Sequence, residues 1–453
     1  APIPFHARRS AVRLAFVAYF IVTPSSVVLF LSGAGAPSRR PVPSQCINPR
    51  FSFPPPRASK NEVRKWGYIY IPMETNSDSL EFPHWFSKSE ATHDVARGIM
   101  QYGPIARTPL AQIFNLSQGA LSRITSDLIY DGVIEEMPAG FAQTGTLPEG
   151  FPVHDASGRR GRPQTALRIR EDSHTFIGVN IHDGAITASE VNAMCRPIGG
   201  EITESITDRS PGAIVAQIAR MVRAVVSPGA PAPTAIGLSL GGHVDDDRFV
   251  TFAPFLYWDS VVDLSALVQQ ATGIPTRAFN DLDSILLYEC WFGDAIGVPR
   301  FAVITMGAGV GYSLSNRGNP IDNPDKSYGL AGHVLIDPEG PRCSSGHVGC
   351  SQCLTSDSIA EEYSAIVGRV TTFEEFARDL HANTPQARRL GERICFRLGV
   401  LVATVSNLAM PTTVLISGES SFIAKKNREF IRKGIDTYRH SQAAPVSFSI
   451  PEF

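Results

Sequence analysis

The chain has 453 residues, 43% of them hydrophobic, and a formal net charge of −2. That length accommodates two or three domains, and the composition excludes a wholly disordered or fibrous chain. The balanced charge excludes a protein that is basic throughout, so any surface for nucleic acid must be local.

The first 86 residues read differently from the rest. Leu14–Gly33 is apolar and follows Arg8, Arg9 and Arg13, the pattern of a signal peptide or membrane anchor. Pro24, Ser25 and Ser26 interrupt that run, Pro/Arg/Ser-rich sequence follows to Lys60, and the chain begins with Ala while Met73 stands just before the first convincing helix. The favoured expectation for 1–86 is a non-native extension or a disordered tail.

Residues 87–172 carry three helical patterns and then a Gly/Pro/Arg-rich stretch. In Gly103–Glu136, Thr108 is expected to cap a helix with Pro109 at its first position, and Asn115-Leu116 makes a turn. Ser117 then caps a second helix whose core face is Ala120, Leu121, Ile124, Leu128 and Ile129. Gln118, Gly119, Ser122, Arg123 and Ser126 are left outside. Short polar side chains with one cation suit a recognition helix in a major groove. Gly132 ends the helix, and Val133-Ile134 opens a strand. Residues 151–170 hold five arginines and one acid, and Gly158–Pro163 precedes a strand-like ALRIR. Arg159, Arg160 and Arg162 at a Gly-flanked hairpin tip fit phosphate or minor-groove contacts. Ser117, Gln118, Ser122, Arg123 and these arginines are the expected DNA-binding residues of a winged helix-turn-helix. The bland alternative is a solvated helical hairpin with a basic linker.

From 173 to 453 short buried strands (TFIGVNI, TAIGLSL, FAVITM, TVLIS) alternate with amphipathic helices, which predicts an α/β fold. There is no short-period repeat, although two related α/β halves are compatible with the pattern. Met306–Gly311 is a Gly-rich turn after a strand, read either as a phosphate cradle or as a tight hairpin. Asn280-Asp281 ends the strand-like TRAF, where a carboxylate either takes a hydroxyl proton or caps the helix beginning at Leu282. There are seven cysteines, three of them between Cys343 and Cys353, so a reducing compartment with one metal site fits better than a disulfide framework. His333, Cys343, His347, Cys350 and Cys353 are the donors at hand for structural zinc.

The order of these pieces (IGLSLGGHVDDDR, RAFNDLDSILLYE, FAVITMGAGVGYSL, GLAGHVLIDPEGPRCSSGHVGCSQC, SNLAMPTTVLISGES) resembles the ROK (repressor, ORF, kinase) family over roughly 90–450. The resemblance implies a two-lobed, actin-like (ribonuclease H-like) sugar-kinase fold, and the winged head places the chain with the family's repressors. It implies that Asn280, Asp281 and His333 bind a sugar-like ligand, with Asp281 at the kinases' catalytic base position. His333, Cys343 and Cys350 match the zinc ligands. Ser345 replaces the family's middle cysteine, and Cys353 is the expected fourth ligand because thiolate suits zinc.

Departures from the pattern argue against catalysis and ATP binding. Where the kinases' Asp-x-Gly-Gly-Thr loop belongs, this chain has Asn180 and His182-Asp183, which removes a magnesium-linked carboxylate and the close backbone approach. Leu330, Gln352 and Phe255 replace polar residues of the sugar pocket. The C-terminus after PVSFSI is short for the family. The expectation is therefore a cytoplasmic, homodimeric repressor bound to duplex operator DNA and controlled by a sugar-like effector. The rivals are an active sugar kinase with a DNA-binding head and a truncated non-functional product.

Overall fold

A computed structural model describes residues 89–137, 165–182, 184–226, 232–321 and 329–451. The N-terminal extension, the hairpin tip with Arg159, Arg160 and Arg162, and Asp183 lie outside the described residues.

The N-terminal head holds three helices, α1 (Glu90–Tyr102), α2 (Arg107–Ile113) and α3 (Gln118–Tyr130). Strands β1 (Ile105–Ala106), β2 (Ile134–Met137) and β3 (Ala166–Ile169) form an antiparallel sheet in the order β1-β3-β2. The apolar spacing of α1 buries Val95, Ala96, Ile99 and Met100 against Leu110, Leu121 and Leu128 of the other two helices. Ser117 caps α3 as expected, its hydroxyl accepting from the Ala120 amide, and Gly132 ends that region at φ +72°. The start of α2 differs from expectation. It begins at Arg107 with no side-chain cap, so Thr108 and Pro109 both lie inside the first turn. Arg107 fixes this boundary by donating to Thr125 at 3.0 Å and to Glu136 at 2.7 Å.

The remainder contains β4 (Thr175–His182), β5 (Ala185–Asn192), β6 (Pro197–Ser205), α4 (Pro211–Val225), β7 (Ala235–Leu240), β8 (His243–Asp245), β9 (Phe249–Phe252), β10 (Val262–Asp263), α5 (Leu264–Thr272), β11 (Thr276–Asn280) and α6 (Asp281–Phe292). A second series follows: β12 (Arg300–Met306), β13 (Val310–Asn316), β14 (Asn319–Pro320), α7 (Ser356–Val367), α8 (Phe373–His381), α9 (Pro385–Ala409), β15 (Thr413–Ser417), α10 (Ser421–Lys426), α11 (Arg428–Tyr438) and β16 (Ser447–Ser449).

Two five-stranded sheets repeat one topology. The first runs β11-β7-β4-β5-β6 and the second β16-β15-β12-β13-β14. In each, three strands meander antiparallel and two more join parallel to the first of them. The parallel strands read as unbroken apolar runs because both faces are covered: every residue of β7 is buried. A small antiparallel sheet, β8 to β10, is appended to the first half.

Each half has its own core. Ile177, Ile218 and Leu238 belong to the first, and Ile304, Leu398 and Ile416 to the second. A third cluster joins the head to both sheets through Phe176 and Val191 of the first and Phe301 and Leu415 of the second, with Leu286 and Trp291 of α6. Helix α9, about 38 Å long, crosses α11 closely at two glycines. A Cβ on Gly399 would stand 2.2 Å from the Ile431 carbonyl oxygen. Gly399→Ala should therefore cost about 1–3 kcal/mol through overpacking. Gly212→Ala, where a new Cβ meets nothing within 4 Å, should instead be neutral or stabilising by about 0.5 kcal/mol. Urea denaturation of the two variants checks the contrast.

Candidate functional site

Three groups of residues carry candidate chemistry. The first is the outer face of α3. Ser117, Gln118, Gly119, Ser122, Arg123 and Ser126 are all exposed, while Leu121, Thr125 and Leu128 are buried. The core stripe thus holds the helix on one side and presents polar side chains on the other, with Arg123 as the cation of that face. The basic hairpin expected beside it lies outside the described residues, but β2 and β3, which flank it, pair from Ile134↔Ile169 to Met137↔Ala166.

The second group lies where β11 meets α6. The helix begins at Asp281, one residue earlier than expected, and Asn280 rather than Asp281 is its N-cap. Asn280 Oδ1 accepts from the Leu282 and Asp283 amides at 2.9 and 3.3 Å, and its Nδ2 donates to the Gly242 carbonyl at 2.7 Å. The structure therefore commits most of this side chain to the fold, leaving one N–H for a ligand. Asp281 Oδ1 also accepts from the Leu282 amide at 2.8 Å. Its Oδ2 and the Phe255 ring both flank Gly241: a Cβ there would lie 3.4 and 3.7 Å from them. Acid, aromatic ring and bare backbone thus share one small volume. Burial pushes the Asp281 carboxyl up to about 6, opposed by the Leu282 amide and reinforced by the nearby Asp283 charge.

The Gly-rich segment 306–311 is a hairpin turn joining β12 to β13, with Met306 opposite Val310. Gly311 abuts Leu282 of α6, and Gly332 backs on to the Val310 carbonyl. One hairpin therefore touches both the start of α6 and the loop that carries the third group. Asn180, expected to weaken phosphate chemistry, is buried and donates to the Ser239 hydroxyl at 2.8 Å.

The third group is a set of four side chains that could hold a metal ion. His333, Cys343, His347 and Cys350 bring their donor atoms within 4.8 Å of one another. His333 Nδ1 lies 3.1 Å from His347 Nδ1 and 3.9 Å from each sulfur. Ligands at about 2.0–2.3 Å around a tetrahedral ion are about 3.3–3.8 Å apart, so two thiols and two imidazoles at this spacing fit one ion. Backbone pairing builds the site. Arg342 bridges Val348, and the Cys343 amide donates to the His347 carbonyl at 2.8 Å, which sets those two side chains across a tight turn. Gly349 at φ +67° lets the loop close, since a Cβ there would stand 1.5 Å from the Asp337 carbonyl oxygen.

Cys353, the expected fourth ligand, is not in this group. A 3-10 turn at Ser351–Leu354 sends it into the second core beside Arg397, where burial pushes its thiol up to about 12. His347 stands in the donor group instead. The hairpin spacing Cys-x-x-Gly-His was the signal available for it. Burial also raises the Cys350 thiol, whereas backbone hydrogen bonds from His347, Ser345 and Gly346 outweigh burial at Cys343 and lower it. Behind the loop, Arg397 is 4% exposed and binds Asp337 and Glu362, each at 2.7 Å.

The sign of the Asp281 shift gives a measurable consequence. Its folded value lies above the usual carboxylate value of 3.8, so the folded chain holds the proton more tightly than the unfolded chain. Stability from this group is full below about pH 4 and is lost as pH rises towards about 6. Asp281→Asn should leave stability unchanged at pH 4 and raise it by about 1–3 kcal/mol at pH 7. Denaturation midpoints across that range check it.

The ROK family model matches residues 195–449. The xylose repressor of Caldicellulosiruptor bescii is 22% identical over 360 residues, covering 76% of this chain and 86% of that protein. The transcriptional dual regulator NagC of Escherichia coli is 24% identical over 348 residues, covering 72% and 79%. A crystal structure of a ROK family transcriptional regulator, a homologue of E. coli Mlc, aligns with a TM-score of 0.62 at 22% identity, covering 77% of this chain and 88% of that one. A ROK family glucokinase from Streptomyces griseus, solved with glucose and AMPPNP, aligns at 0.50 and 22%, covering 60% and 93%. The fold is the mixed α/β fold of the sugar-kinase-like ROK proteins. Among the described residues no helix is long and apolar enough to cross a membrane.

Proposed function

Because the chain belongs to the ROK family, we propose that it is a DNA-binding transcription regulator whose kinase-like part binds a sugar-like effector without phosphorylating it. The observation that carries this is the exposed polar face of α3, held by a buried core stripe on a head that the kinase alignment has no room for. The glucokinase is matched over 93% of its own length yet reaches only 60% of this chain, whereas the regulator reaches 77%. The xylose repressor and NagC are named as a repressor and a regulator, which supports the same reading.

In this reading residues 87–172 form a winged helix-turn-helix. Ser117, Gln118, Ser122 and Arg123 meet base edges, and Arg159, Arg160 and Arg162 meet phosphate or the minor groove. Two copies of the chain would read two half-sites. The effector binds beside Asp281 and the remaining N–H of Asn280. Phe255 and the exposed Leu330 favour an effector less polar than an ordinary hexose. Asn180 offers no carboxylate for magnesium, and its amide is already engaged with Ser239. A kinase needs that charge to stabilise the transferring phosphoryl group, so turnover is not expected. His333, Cys343, His347 and Cys350 hold zinc, which supplies a structural cross-link for the loop. His333 serves that centre through Nδ1, so any ligand contact it makes uses its other nitrogen.

Genome-wide capture of bound DNA, followed by affinity measurements on the recovered duplex, tests the reading. Salt-sensitive binding is expected. Arg123→Ala should weaken it by about tenfold and relax specificity at one position, and changing the three hairpin arginines should flatten the salt dependence. Absence of salt-sensitive affinity for any duplex would overturn it, as would sugar-dependent ATP hydrolysis with glucose, xylose or N-acetylglucosamine. Zinc retention against a chelator should drop at least about tenfold in Cys343→Ser and His347→Ala, and Cys353→Ala should leave it intact.

A further inference from the structure

We propose that α6 carries the state of the effector pocket to the DNA-reading head, with Gln101 as the positioning residue at its far end. This rests on the functional reading above. The two ends of α6 touch the two sites. At its start, Asn280 ties the helix to the Gly242 carbonyl, Asp281 flanks the pocket, Leu282 packs on Gly311, and Asp283 accepts from the Ser313 hydroxyl at 3.1 Å. At its end, Leu286, Cys290 and Trp291 lie in the cluster that also holds Val95, Ile99, Met100 and Tyr102 of α1.

The last four carbonyls of a helix lack partners within it. The Glu289 carbonyl accepts from the Ala295 amide at 3.1 Å. The Cys290 carbonyl accepts from Gln101 Nε2 at 3.1 Å, a side chain of α1 in the head. The head therefore supplies part of the C-terminal cap of the helix whose N-terminus meets the pocket. The span is about 18 Å for its twelve residues.

Not one residue of α6 is exposed. A helix with no exposed face cannot tilt or slide far without displacing its neighbours, because interiors are close-packed and resist compression. The α1 helix in turn packs on α3, where Leu121 and Leu128 share its cluster. A ligand that pulls on Asn280 or Asp281 thus acts on a rod whose other end is pinned to the reading helix's support. A second junction, the Arg196–Glu171 pair and the Ala193 amide on the Glu171 carbonyl, touches none of the pocket residues named here.

A double-mutant cycle read by amide hydrogen exchange on the full chain tests this. Asn280→Ala loosens the pocket end, with Ser313→Ala as the milder alternative should the first fail to fold. Either should speed exchange at Gln101 and Tyr102 at least about threefold, a coupling of the size seen between interacting sites. In a Gln101→Ala background that response should vanish, and Gln101→Lys, which keeps a donor, should restore it. A response that persists undiminished without Gln101, or a change below threefold from both pocket-end variants, overturns the proposal. The readout needs no DNA. A chain that binds no duplex yet shows the coupled response would sink the regulator reading and leave the rod standing.

Discussion

The constraint on which the rest of the molecule depends is the enclosure of α6, which has no exposed residue. Its sequence, DLDSILLYECWF, offers no polar stripe for solvent, so it must be enclosed. The structure encloses it with the edge of the first sheet, the β12–β13 hairpin of the second and α1 of the head. Three independently built parts meet on one helix. That is why the head cluster reaches Phe301 and Leu415, deep in the second sheet, instead of ending at its own boundary.

The chemistry follows from that arrangement. Asn280 is largely committed to capping and to the Gly242 carbonyl, and beside it burial raises the Asp281 carboxyl to about 6, so its proton is held into the mildly acid range. A group near its titration point can donate or accept a hydrogen bond, which suits hydroxyl recognition as well as proton transfer. In the proposed reading, what separates a sensor from a kinase lies elsewhere, in Asn180, whose amide donates to the Ser239 hydroxyl. In that reading the fold keeps an acid at Asp281 and has none at position 180.

Local patterns were legible in the sequence. The Ser117 cap, the core face of α3, the strands TFIGVNI, TAIGLSL, FAVITM and TVLIS, and the strand at Thr276 all rest on periodicity and capping chemistry within a few residues. Features set by distant residues were not. The start of α2 is fixed by Arg107 reaching Thr125 and Glu136. His347, not Cys353, stands in the His/Cys group because a hairpin faces it to Cys343 while a 3-10 turn buries Cys353, a distinction that thiolate preference alone cannot make. The bond from Gln101 to Cys290 spans 189 positions. The doubled sheet topology is invisible as a repeat because it resides in hydrogen-bond order, not in residue identity.

Gly349 joins two of these features at a single atom position. Its missing side chain is what allows the Asp337 carbonyl to sit against it, and the same Asp337 carboxylate faces the guanidinium of Arg397. A methyl group at 349 would drive Asp337 outward and deprive a nearly enclosed cation of half its counter-charge. The ligand hairpin and the interior of the helical layer behind it are therefore not separate modules: a crowding defect in the outer loop becomes an electrostatic defect in the core.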